Sequence, residues 1–426
     1  MSRLDRARGA PARRLTLARS APARRLTLAL LVVAAALGSA APAQAARGME
    51  IALQDDPVFL QRDYYDRDLA LTQAREMGVT RLRVSLGWAS ALGTEQARQR
   101  TVPPQPVYDF SRYDDLIDAA AGYGIRLQLN VIPPAPAWAT GDRKVGVERP
   151  NPRLYGQFVR AAAEHFKGRV DRFAIWNEPN HVGWLTPQSS AAAQYRQLYL
   201  EGYKAIKRVD PATEVLIGEL VPYKNGSRSS SPLLFLRQLT CTRTASGVPG
   251  LRGYRMRRSG SCPPLRADGL AHHPYEYRGP PESGYPGADN VTIGTLGRLT
   301  STLSELGRLR ALATPKRRPV DVFITEFGYF GVGRNSHPDA RRASYLRRAY
   351  QIAQRNPSVR QMTQYLLVRP PRRYTGSYFD MSIVLPNGEP SIVFKELARW
   401  AKSAARRGYI AAPGQPVALP PRPPGA

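Results

Sequence analysis

Two glutamates in this chain stand where an apolar run stops. Phe173-Ala174-Ile175-Trp176 ends in Asn177-Glu178-Pro179-Asn180, and Val322-Phe323-Ile324-Thr325 ends in Glu326-Phe327-Gly328. Each apolar half reads as a buried strand, and Pro179 cannot continue a hydrogen-bonded ladder, so the first strand ends there. The acid then sits at the strand's carboxyl tip, where a side chain meets solvent instead of core. One such carboxylate can give or take a proton. Two that face one cavity can break a glycosidic bond, one protonating the leaving oxygen while the other attacks the sugar or activates water. A separation of about 5–5.5 Å implies a covalent intermediate and retention, and about 6.5–9.5 Å leaves room for water and inversion. An arginine beside one of them holds it ionised, as a nucleophile needs. An acid that must keep its proton needs an apolar seat or a like-charged neighbour.

Such a pair must be brought together by the rest of the chain. Strand-like runs are expected at 49–53, 79–86, 125–132, 170–176, 214–220, 267–273, 320–325 and 361–368. Helices are expected at 65–77, 111–123, 152–166, 191–208, 233–239, 292–311, 339–354 and 390–404. Ser111 is a helix cap, and Gly78 and Gly124 are helix stops. Eight strands alternating with eight helices demand parallel pairing and right-handed crossovers. The expected fold is therefore α/β, a single-domain (β/α)8 TIM barrel over residues 46–405. An open doubly wound sheet would favour a glycine-rich phosphate loop after the first strand, and Gln54-Asp55-Asp56-Pro57 is not one.

Barrel sites are built at strand carboxyl ends, and those positions give a coherent set. The second strand carries Arg83 and is followed by Trp88. Trp138 follows the third, and Trp184 comes soon after Glu178. The sixth ends His272-His273-Pro274-Tyr275, and a spacing of two puts His273 and Tyr275 on one side of an extended chain. Indole stacks on the apolar faces of sugar rings, so Trp88, Trp138 and Trp184 are candidate substrate contacts. Trp400, on the last helix, reads as core.

Trp176-Asn177-Glu178-Pro179-Asn180 and Ile324-Thr325-Glu326-Phe327-Gly328 resemble the two catalytic strands of glycoside hydrolase clan A, nearest families five and thirty-nine and their actinobacterial extracellular members. The resemblance spans roughly residues 48–405. It implies a retaining hydrolase of β-linked glycans or glycosides, with Glu178 as acid/base and Glu326 as nucleophile. It also implies that Asn177 binds the sugar 2-hydroxyl, that Arg83 and Tyr275 support the nucleophile, and that His273 belongs to the site. The chain departs from the clan at the eighth strand, where Gln364-Tyr365-Leu366-Leu367-Val368-Arg369 has no tryptophan: either Tyr365 substitutes for it or the pocket is shaped differently.

Composition bounds the setting. Met1 to Arg25 holds eight arginines and one acid, 26–37 is almost wholly apolar, and Ala43-Gln44-Ala45 is a small-residue cleavage signal. Residues 1–45 therefore read as an export signal, with an apolar run too short to favour a stable membrane span. Ala-Pro-Ala-Arg-Arg-Leu-Thr-Leu-Ala occurs twice, at 10–18 and 21–29. Arg24-Arg25 resembles a twin-arginine signal, but Thr27 stands where a large apolar residue is expected, so the general secretory route is the expectation. The net charge of +29 falls to +22 once the signal's net seven positive charges are removed. Such a charge suits an anionic cell envelope or an acidic glycan, or it reflects an arginine-rich composition alone, since the basic residues are spread out instead of forming one block. Outside the cell, nucleic acid is not an expected partner. Cys241 and Cys262 pair most simply as one disulfide, a staple worth roughly 3 kcal/mol in the chain-entropy model. Two thiols without clustered histidines make a poor metal site, so neither metal nor cofactor is expected. The proline-rich segment 406–426 reads as a disordered tail. The rival reading is a non-catalytic barrel that binds carbohydrate or the anionic envelope.

Overall fold

The computed structural model describes residues 47–371 and 380–422, so the expected export signal at 1–45 lies outside the described residues. Eight strands close into a barrel: β1 (Glu50–Gln54), β2 (Arg81–Gly87), β3 (Arg126–Ile132), β4 (Arg172–Ile175), β5 (Glu214–Leu220), β6 (Gly269–His272), β7 (Asp321–Ile324) and β8 (Val359–Tyr365). Every neighbouring pair is parallel, and β8 pairs back onto β1, so no edge is left open. The crossovers are α1 (Arg67–Glu76), α2 (Ser111–Gly122), α3 (Pro152–His165), α4 (Ala191–Val209), α5 (Pro232–Leu239), α6 (Leu296–Arg308) and α7 (Asp339–Arg355); α8 (Ile392–Arg406) closes the ring. The helices begin where local chemistry directs. Asn151 accepts from the backbone of Arg153 and Leu154 at 3.0 and 3.2 Å ahead of Pro152, and Ser391 caps α8 in the same way.

Period-two alternation sorts the strand residues into two cores. Outward-facing Ile51, Leu53, Leu82, Val84, Leu129, Val131, Val215 and Ile217 join the helices in the main apolar cluster. Inside the barrel the apolar content shrinks to Ala174, Leu216, Ala271 and Phe323. Phe323 fits because β6 starts with glycine; a Cβ at Gly269 would meet its ring at 2.2 Å. Above and below this thin apolar plug the interior is polar, with Arg81, Arg83, Gln128, Asn130, Arg172 and Gln361 all buried.

Three features depart from the sequence expectation. The strands are a residue or two shorter or shifted at most ends, and β4 stops at Ile175 because Trp176 (φ 68°) and Glu178 (φ 40°) turn left-handed. Between α5 and β6 a hairpin, Thr242–Ser246 with Arg255–Arg258, is tied by the Cys241–Cys262 disulfide, whose Cα atoms lie 5.9 Å apart. The segment beyond α8, expected to be disordered, is laid down on the barrel as far as Arg422. Met49 N–H donates to the Tyr409 carbonyl (3.2 Å), Val417 N–H to the Ala121 carbonyl (3.1 Å), and Arg422 pairs with Asp118 (2.7 Å). Gly124, the stop of α2, also makes room here, since a Cβ would fall 2.2 Å from the Gly414 carbonyl oxygen.

Candidate active site

The carboxyl ends of the strands open into a cavity of about 1160 Å³ lined by Arg83, Asn177, Glu178, Tyr275 and Glu326, among others. The left-handed backbone at Trp176 and Glu178 aims consecutive side chains of the β4 tip into it. Such strain persists only where surroundings over-determine it. Here the Trp176 amide donates to the Val131 carbonyl at 3.0 Å, its indole to the Trp184 carbonyl at 2.8 Å, and the Glu178 amide to the Glu219 carbonyl at 3.0 Å.

Glu326 ends β7 and accepts from Arg83 Nη1 and from the Tyr275 hydroxyl, both at 2.9 Å. Glu178 accepts from His273 Nδ1 at 2.8 Å, and the same nitrogen lies 3.6 Å from Glu326. Oxygen atoms of Glu178 and Glu326 approach within 4.8 Å. Burial raises the Glu326 carboxyl above its usual range, assisted by Glu178 and Glu219 and opposed by His273 and Arg83. Arg83, itself buried, also donates to Asn177 Oδ1 at 3.0 Å, which leaves the Asn177 amide nitrogen available to the cavity.

Behind this row sits a residue that the sequence reading did not single out. Glu219, on β5, is fully buried and accepts from His273 Nε2 (2.6 Å), Arg83 Nη2 (3.1 Å) and Thr325 Oγ1 (2.5 Å). Its side chain reaches the barrel interior through a bulge: Gly218 at φ 118° and Glu219 at φ 55° shift the register against β6. Only glycine serves at 218, since a Cβ would meet the Ala271 carbonyl oxygen at 2.5 Å. The signal was present in Ile217-Gly218-Glu219-Leu220, a glycine and an acid inside an apolar strand.

His273 therefore bridges carboxylates on both ring nitrogens. Burial alone would push its imidazole down, but Glu326 and the hydrogen bonds to Glu178 and Glu219 outweigh it and raise it to about 10. Glu219 is likewise pushed up by burial but held down to about 2, chiefly by Arg83 and then by His273. Glu178, His273 and Glu326 have the spacing of a three-ligand metal site. Both ring nitrogens of His273 are already engaged, by Glu178 and by Glu219. His272 points away; its Nε2 lies 3.0 Å from the Val291 carbonyl, and burial lowers it to about 4.

Of the three candidate tryptophans only Trp184 lines the cavity. Trp88 and Trp138 are corrections to the sequence reading, because neither ring reaches it. Gly87 ends β2 and the chain enters the short helix Trp88–Leu92 at once, which drives Trp88 under α3. There it stacks on Phe158 at 5.9 Å and meets Trp138 edge-on at 5.6 Å. The cavity's aromatic wall is instead mostly tyrosine: Tyr275 stacks on Tyr277 at 5.1 Å, and Tyr223 and Tyr365 join them. Tyr365, the last residue of β8, lines the cavity at the place where the sequence resemblance lacks its tryptophan. Asp56, in the loop after β1, also faces the cavity, while its neighbour Asp55 pins the loop after β8 by accepting from the Leu367 and Val368 amides at 3.0 Å.

Among solved structures the barrel matches several glycoside hydrolases. A family 39 glycoside hydrolase from the gut symbiont Bacteroides cellulosilyticus superposes with a TM-score of 0.59 at 19% identity, covering 83% of this chain and 64% of that one. An exo-β-1,4-mannosidase from an Opitutaceae bacterium gives 0.52 at 17% identity, covering 85% and 61%. A monomeric β-xylosidase from Caulobacter crescentus gives 0.52 at 18% identity, covering 83% and 69%. The chain thus spans just under two thirds of the length of the first two. At this identity the likeness establishes the fold. No family model and no curated protein matches the sequence.

Proposed function

We propose that this protein is an exported glycoside hydrolase that cleaves a β-linked glycan or glycoside with retention, using Glu178 as acid/base and Glu326 as nucleophile. The observation that carries the reading is the carboxylate pair at the β4 and β7 tips, with oxygens within 4.8 Å of each other across an open cavity. That approach accords with the short carboxyl separation of a double displacement. Donor count distinguishes the two carboxyls. Glu326 takes bonds from a guanidinium and a phenol, which stabilise the anion that attacks the anomeric carbon. Glu178 takes one bond, from His273, and the family resemblance assigns it the proton transfer to the leaving oxygen. After the glycosyl–Glu326 ester forms, Glu178 takes a proton from water, whose oxygen attacks the same carbon and releases Glu326. Asn177, with its oxygen held by Arg83, presents its amide nitrogen to a sugar hydroxyl, and Trp184 with the tyrosine wall supplies apolar faces for the rings. The family resemblance at both strands and the glycoside hydrolase names of the fold neighbours support the same class.

Export is supported by the arginine-rich leader of the sequence and by the disulfide, which persists in oxidising compartments. Among the described residues no helix is long and apolar enough to cross a membrane. Turnover of a panel of aryl glycosides and polysaccharides, with Glu178→Gln and Glu326→Gln as controls and the product anomer read by NMR, tests the assignment. Unchanged turnover in Glu326→Gln, or an inverted product, would sink it. N-terminal sequencing of secreted protein tests the leader, with Ala46 as the expected first residue.

A further inference from the structure

The hairpin clamped by Cys241–Cys262 lies along the outside of the barrel. Arg258 donates to the carbonyls of Leu309 and Arg310 at the last turn of α6 (3.2 and 3.3 Å), and the Gly250 amide reaches Ser301 near its first (2.8 Å). From Thr240 to Ala267 the sequence has six arginines and no acid. Arg243, Arg252 and Arg257 are exposed and, among the described residues, have no carboxylate at ion-pair distance. Arg255 has only Glu305, at 3.8 Å. In the ladder Arg243 stands directly opposite Arg257, a like-charge pairing that weakens a hairpin unless an anion is shared between the two. The exposed Lys316, Arg317 and Arg318 continue the positive field through the short ladder of Leu265–Arg266 with Leu312–Ala313.

Charge alone would fit any polyanion. The tip distinguishes among them. Between the hairpin strands Leu251 is 65% exposed and Val248 43% exposed, on a turn whose Gly247 and Gly250 have left-handed φ. Large aliphatic side chains held in water beside a ring of guanidinium groups match an interface that is apolar underneath and anionic on top. A soluble acidic polysaccharide offers no place for them.

We infer that the clamped hairpin is a peripheral docking element for a lipid surface bearing anionic phosphate headgroups: the arginines lie on the phosphates, Leu251 and Val248 enter the acyl boundary, and the cavity stays open.

Co-sedimentation of the full protein with vesicles tests this. Binding to phosphatidylglycerol–phosphatidylcholine vesicles at low salt is expected, with little binding to phosphatidylcholine alone. The triple variant Arg243→Ser, Arg252→Ser, Arg257→Ser should lose about a hundredfold in partition, at roughly fivefold per arginine near the surface. Leu251→Ser with Val248→Ser should lose about tenfold at the same charge. All these residues are exposed, so melting temperature and turnover of a soluble glycoside should stay unchanged. Failure to bind the anionic vesicles, or full binding by the triple variant, overturns the proposal. So does an unchanged partition of the Leu251/Val248 variant together with equal affinity for dissolved polygalacturonate, which would identify the partner as an acidic glycan.

Discussion

The two ends of the barrel are built from the same part and finish in opposite states. Arg81 and Arg83 lie two apart on β2 and both point inward. At the amino end Arg81 is bonded to Asp171 at 2.6 Å, Glu50 at 3.1 Å and the Leu127 carbonyl at 3.1 Å, while Arg172 takes Glu214 at 2.7 Å and Gln361 at 2.8 Å and lies over the Phe323 ring at 4.7 Å. Burial raises Asp171, but Arg81 and Arg172 outweigh it and hold the carboxyl near 2; Glu50 is lowered for the same reasons. Arg126 adds a third guanidinium, 3.0 Å from Asp171, so three arginines meet three carboxylates and that end is a closed plug. At the carboxyl end Arg83 and His273 face Glu178, Glu219 and Glu326, so carboxylates outnumber cations. Burial drives Glu326 up, and one Glu219 oxygen is left without a partner. Saturated charge makes a structural end, and unsaturated charge makes a reactive one.

The largest break of this contrast is Glu326→Gln. Losing the proposed nucleophile should lower kcat by at least about 10⁴-fold, with the fold unchanged by circular dichroism. Glu178→Gln should cost about 10²–10⁴-fold. The loss should be smallest for glycosides with acidic aryl leaving groups, which need little protonation.

Next comes the arginine pair, where one conservative change at each end should read out differently. Arg83→Lys keeps the charge but cannot hold Glu326, Asn177 and Glu219 in a fixed fork, and kcat should fall about 10²-fold. Arg81→Lys should leave kcat within about twofold and cost roughly 1–2 kcal/mol in chemical denaturation, as charge-assisted hydrogen bonds are lost at one end. Equal losses of kcat in the two variants would show that the ends are not separate.

Much of this was legible in the sequence because it rests on periodicity. The alternation of apolar runs and caps located all eight barrel strands, and an acid ending an apolar run marked both catalytic candidates. Three things were not. Glu219 escaped because its inward aim depends on a one-residue bulge at Gly218, and strict alternation carries no notation for a bulge. Trp88 and Trp138 misled because position after a strand end does not fix side-chain direction once the chain turns into a helix. The tail defied its composition because proline-rich chain needs only a few partners, such as Ala121 and Asp118, to be held in place.

Glu219 gives the contrast a pH axis. The His273 imidazole is raised to about 10 against an unfolded value near 6.5, so the stability it contributes is full below about 6.5 and is lost as pH climbs through 10. Glu219 and Asp171 are lowered to about 2, so their contributions are full above about pH 4–5 and fade as pH falls toward 2. The amino end therefore weakens only in acid, and the carboxyl end weakens in both directions. Glu219→Gln removes one of the anions facing His273, leaving Glu178 and Glu326. The imidazole should then titrate at lower pH by NMR, and the alkaline limb of kcat/KM should move the same way. A limb unmoved by Glu219→Gln would reduce Glu219 to a packing residue.

The smallest expected effect lies between two tryptophans. Trp184 lines the cavity with part of its ring exposed, so Trp184→Ala should raise KM about tenfold by removing an apolar face, with stability little changed. Trp88 is fully buried against Phe158, Trp138 and Tyr155, so Trp88→Ala should cost about 3–5 kcal/mol of stability through the cavity it leaves. KM measured on the fraction still folded should be near normal. The pair separates contact with substrate from support beneath it, at two indoles that look alike in the sequence. A KM effect at Trp88 as large as that at Trp184 would mean that the layer under the mouth shapes the substrate site directly, and that the boundary between reactive end and structural wall lies deeper than the first row of side chains.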